Sequence, residues 1–106
     1  MEPMTHLPRR PLRGPDVAKL DSDDRLDVVP YGGVPDGDEV AVYAIKLAVG
    51  SAAYALGYDD ARGRWQQLAS VDAADIAVAD AELDAVLDEW VQEQYGGRFE
   101  VTRNVV

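Results

Sequence analysis

The sequence predicts an α+β domain: an antiparallel three-stranded meander, one amphipathic helix packed on a sheet face, and a C-terminal return strand, in the order β-β-β-α-β. Three observations carry this reading. Val40 to Tyr58, VAVYAIKLAVGSAAYALGY, has no carboxylate, in a chain of 106 residues that holds twenty. Leu83, Val86, Leu87, Trp90 and Val91 fall at the i, i+3, i+4, i+7 spacing of a helical stripe. Arg98 to Val106 alternates, with Phe99, Val101 and Val105 on one side and polar residues on the other, as a half-buried strand does.

The central stretch has nearly the length of a membrane span. Lys46 sits near its middle, where a charge costs about 2.5–3.5 kcal/mol on insertion scales, and its alanines and glycines offset little of that. A single helix is disfavoured by Gly50-Ser51 and by the β-branched and aromatic residues before it. A hairpin fits, with Gly50-Ser51 as a two-residue loop and Gly50 at the position where a type II′ turn needs positive φ. Val49 then faces Ala52, Leu47 faces Tyr54, Ile45 faces Leu56 and Tyr43 faces Tyr58, so the large apolar side chains share one face. The other face is small: Ala44, Ala48, Ala53, Ala55 and Gly57, interrupted by Lys46. A slip of one residue destroys this segregation. Tyr43, Tyr54 and Tyr58 are accordingly read as core beneath the helix that bears Trp90.

The remaining elements follow in order. Residues 1–20 carry four of the six prolines together with Arg9, Arg10 and Arg13, and read as a disordered arm ahead of a single α+β domain, residues 21–106. Leu20 to Tyr31 fits either a helical turn capped by Ser22 or a short edge strand ended by Pro30, and the sequence leaves both open. Gly32 to Glu39 reads as a turn cluster. Asp59 to Gly63 is a second turn, and Arg64 to Val71 the third strand, with Trp65 and Leu68 on opposite faces by parity. The helix runs from an Asp80 N-cap to about Tyr95, where Gly96-Gly97 stops it. Ile76 fits the same stripe if the preceding segment adds a turn. Glu82, Asp84, Asp88, Glu89 and Glu93 are assigned to water.

Twenty acids against ten bases give a formal charge of −10, with fourteen Asp and only two Lys. This composition points to a cytoplasm rich in salt, where screening relieves self-repulsion, and argues against nucleic acid as partner. The absence of cysteine fits an intracellular location and removes thiolate nucleophiles and sulfur-bound zinc. The single histidine, His6, lies in the arm. No catalytic or metal-ligating constellation, cofactor motif, secretory signal or membrane span emerges.

The expected role is therefore a binding or assembly module rather than a catalyst, with a protein partner or a second copy of the chain. The motive is a sheet with two apolar faces and one helix to cover them. Candidate binding residues are Lys46, set among alanines, and Arg62, Arg64 and Trp65 beside the second turn; Arg9, Arg10 and Arg13 are candidate arm contacts. One alternative is a small-ligand binder or enzyme with a pocket between helix and sheet that uses Lys46 or the tyrosines. Another is an accessory regulator acting through the basic arm.

Overall fold

A computed structural model describes residues 7–72, 76–96 and 100–101. The elements are α1 (Gly14–Asp21), β1 (Leu26–Asp36), β2 (Glu39–Val49), β3 (Ala52–Asp59), β4 (Arg64–Asp72), α2 (Ile76–Gln94) and β5 (Glu100–Val101). The fold is α+β. An antiparallel sheet in the order β4-β3-β2-β1-β5 carries α2 on one face and α1 with the segment before it on the other.

The central hairpin has the register that side-chain segregation dictates: Val49↔Ala52, Leu47↔Tyr54 and Ile45↔Leu56. Gly50 turns the chain with φ 64°, a conformation that costs an L side chain energy and glycine nothing. The ladder ends at Ala44↔Gly57, so Tyr43 and Tyr58 meet through their rings, 5.6 Å apart and edge to face, rather than as a backbone pair. Where β3 leaves β2, Leu12 takes its place: Leu12 and Val42 exchange both backbone hydrogen bonds, at 3.0 and 2.8 Å.

The meander has four strands, not three. The stretch assigned to an undecided element and a turn cluster is one eleven-residue strand, β1, paired with β2 from Leu26↔Val49 to Asp36↔Glu39. Only Gly37 and Asp38 form the loop. The prolines and the Gly32-Gly33 pair mislead because they are breakers in the interior of a sheet but are tolerated near an edge and at bulges. The register shifts on both sides of Gly32, and β5 pairs with β1 only at Gly32 and Gly33 among the described residues. The return strand thus joins the β1 edge; the rest of the alternating segment read from Arg98 to Val106 lies outside the described residues.

Helix α2 begins at Ile76, so Asp80 lies inside it rather than at its cap. It packs on the small face. Ile76, Leu83, Leu87, Trp90 and Val91 are buried against Ala44, Ala48, Ala53 and Ala55, which contributes about 10 kcal/mol before entropy. The sequence reading placed the tyrosine face beneath this helix; the structure reverses that. Alanines let the helix backbone approach closely, and Lys46 supplies a polar anchor there.

The large face, with Leu26, Val28, Ile45, Leu47, Leu56, Tyr58 and Trp65, is covered by the chain's own N-terminal segment. From Leu7 onward the expectation of disorder is therefore corrected, while residues 1–6 lie outside the described residues. Leu12 is fully buried, and Leu7, Val17 and Leu20 pack beside it. These four apolar residues are too irregularly spaced to read as one element, yet they have a ready-made surface to bury against. Pro15 near the start of α1 and Asp16, whose carboxylate accepts from the Arg13 N–H at 2.9 Å, set the first turn of the helix.

Candidate functional site

Lys46 projects from β2 into the interface with α2 and is almost wholly buried. Its ammonium donates to the Asp84 carboxylate at 2.9 Å and also to Asp80, one turn earlier on the helix. Asp84 is buried as well, whereas the Asp80 side chain is 48% exposed. The cluster joins sheet to helix and holds one positive against two negative charges. Asp84, assigned to water by the sequence reading, is corrected by this contact. The signal was present: Asp80 and Asp84 are four apart and fall in line with Ile76, Leu87 and Val91, so the apolar stripe carries two acids on its own face.

Arg10 is engaged within the chain by its side chain, and Arg9 and Arg13 by their backbone groups. Arg10 makes a two-point contact with Asp16, at 2.5 and 2.9 Å, and this hydrogen bonding, with the Arg13 backbone N–H second, lowers the Asp16 pKa from 3.8 to about 2. The same contact raises the Arg10 pKa. The Arg9 carbonyl accepts from the Tyr58 hydroxyl at 3.3 Å, and the Arg10 carbonyl from the Trp65 indole N–H at 3.0 Å. Arg10 and Arg13 line a cavity of about 430 Å³ with Val34, Pro35, Ala41 and Tyr43.

Trp65 is thus buried against its own arm, which corrects its assignment as a partner contact. Arg62 and Arg64 are exposed at the β3–β4 turn, and the Arg62 side chain approaches Asp59 at 3.5 Å. Lys46, the turn arginines and the arm arginines therefore occupy three separate places, not one site.

An aromatic chain links the two cores around the end of β3. Trp65, Tyr58, Tyr43, Tyr95 and Trp90 stand edge to face in sequence, with centroids 5.7, 5.6, 5.3 and 5.4 Å apart. Tyr95 fixes the end of α2 by donating to the Tyr58 carbonyl at 2.8 Å. Tyr43 and Tyr54 are half-buried and Tyr58 is buried, all on the arm side of the sheet.

A further concavity lies elsewhere, between α1 and the β1–β2 hairpin. This groove of about 600 Å³ was not foreseen from the sequence. Its walls are Val17 and Ala18 from α1, Val28 and Pro30 from β1, and Val40 and Val42 from β2, with Gly14 and Asp21 at the helix ends.

Fold and sites together define a three-layer α+β domain with a buried lysine–aspartate anchor and an apolar groove, and no helix among the described residues is long and apolar enough to cross a membrane. The chain belongs to the family described as a domain of unknown function, DUF7964, whose profile matches residues 3–93 and so takes in the arm, the four-stranded meander and nearly all of α2. No curated protein and no solved structure matches the chain significantly.

Proposed function

We propose that this protein is a binding and assembly module of a salt-rich cytoplasm rather than a catalyst, and that it pairs with a second copy of itself through β4. The observation that supports this is the outer edge of the sheet. β4 ends the strand order, has nine residues without lysine or proline, and has no strand on its far side among the described residues. Leu68, Ala69 and Val71 are half-buried along it at the rim of the α2 core. Unpaired backbone beside partly covered apolar side chains is the surface to which a further strand adds. Much of the two sheet faces is already covered by α2 and by the arm, which leaves the β4 edge for assembly.

The register of such a pair follows from the bulge. Between Ala55↔Ala69 and Leu56↔Gln67, Leu68 is the extra residue, and both Leu68 and Ala69 lie on the α2 side. Antiparallel pairing that keeps like faces together places the twofold axis between these two residues. Leu68 then meets Ala69 of the second copy, Gln66 meets Val71, and the exposed Gln67 meets the exposed Ser70. High salt favours the pair, because each chain carries a formal charge of −10.

Sedimentation velocity at low and at multimolar salt tests this, with circular dichroism on the same samples. The wild type should be dimeric at high salt. Gln67→Lys with Ser70→Lys places like charges opposite one another twice and should give a folded monomer, whereas Gln67→Lys with Ser70→Glu should restore the dimer. A wild type that is monomeric at every salt concentration, or a dimer indifferent to the double-lysine change, refutes the reading.

A further inference from the structure

The α1 stripe that faces the hairpin is Gly14, Val17, Ala18 and Asp21, at the i, i+3, i+4, i+7 spacing of one helical face. Gly14 and Ala18 are small, and even a Cβ built on Gly14 would meet nothing within 4 Å. The helix therefore cannot fill the space above Val28, Pro30, Val40 and Val42, and the groove of about 600 Å³ is a consequence of side-chain size. That volume lies within the range of about 300–1,000 Å³ found for small-molecule sites.

The lining also restricts what can enter. Apart from Asp21, every residue of the wall is aliphatic, proline or glycine, so a ligand with polar groups along its length would lose their hydration without replacement. The Asp21 carboxylate stands exposed at one end, and no ion pair to it exists among the described residues. The chain as a whole is strongly negative, so at low salt anions are repelled before they arrive. We propose that the groove binds a small cationic amphiphile, an organic amine whose apolar body lies between α1 and the hairpin and whose ammonium pairs with Asp21. This site is independent of the β4 edge.

The test is an NMR titration of the full chain, in low salt, with n-octylammonium, n-octanol and n-octanoate, reading the methyl resonances of Val17, Val28, Val40 and Val42. Octylammonium should bind saturably and shift these methyls, octanol should bind about threefold more weakly, and octanoate more weakly still. Asp21→Asn should bring octylammonium down to the level of octanol. Ala18→Leu keeps a good helix former on an exposed position and fills the groove, so it should abolish saturable binding while the circular dichroism spectrum stays that of the wild type. Equal binding of the three probes, shifts centred on other residues, or an Ala18→Leu protein that binds normally each overturns the proposal. Should Ala18→Leu fail to fold, the Asp21→Asn comparison decides alone.

Discussion

The ammonium of Lys46 and the carboxylate of Asp84 meet at 2.9 Å in the interface between sheet and helix, both of them buried. Removing Lys46 takes this countercharge from the Asp84 carboxylate in a poorly hydrated place, which costs far more than the pair itself contributes. Lys46→Ala should therefore destabilise the fold by about 3–5 kcal/mol, while Lys46→Met combined with Asp84→Leu should recover much of the loss. Urea unfolding of the two variants measures this. Equal destabilisation of both would show that the charge pair is not what fixes α2 on the sheet.

Gly57 in β3 lies directly against the Trp90 indole of α2. A Cβ on Gly57 would lie 2.6 Å from the indole ring, too near for the ring to stay where it is. Gly57→Ala should cost about 1–3 kcal/mol by overpacking, and Trp90→Phe, with its smaller ring, should lessen the cost of Gly57→Ala when the two are combined. Additive costs in thermal unfolding would argue that the helix simply shifts. The buried Trp90 Nε1 has no hydrogen-bond partner among the described residues, so loss of the indole N–H removes no bond there.

The arm carries a pH dependence of its own. Asp16 has its pKa lowered from 3.8 to about 2, first by the Arg10 hydrogen bonds and then by the Arg13 N–H. A depressed carboxylate stabilises the folded state fully above its unfolded value and loses that contribution as pH falls through the folded one. The contribution of Asp16 is thus complete above about pH 4, declines as pH falls below that, and is gone once pH passes below about 2. Asp16→Asn should flatten the acid limb of the stability curve in that window and loosen the arm, seen as faster proteolysis between residues 7 and 21. An unchanged acid limb would contradict the role given to this contact.

Much of this molecule was legible in its residues because the signals were local. The β2–β3 register follows from strand alternation together with a glycine where the turn needs positive φ, and the α2 stripe follows from helical periodicity. The extended β1 was obscured, since Pro30, Pro35 and Gly32-Gly33 have opposite meanings at a sheet's centre and near its edge, and position in the sheet is not written in the segment itself.

The tertiary structure alone decided which partner each sheet face received. Both faces were evident in the sequence, but their coverings compete over long range: α2 took the alanine face, where its backbone approaches closely and Lys46 finds Asp80 and Asp84, and that left the larger side chains to Leu12, Val17 and Leu20 of the arm. The burial of Asp84, the capture of Trp65 by the Arg10 carbonyl and the groove beneath α1 all follow from that allocation. Periodicity shows that a face must be buried; only packing among all the elements determines against what.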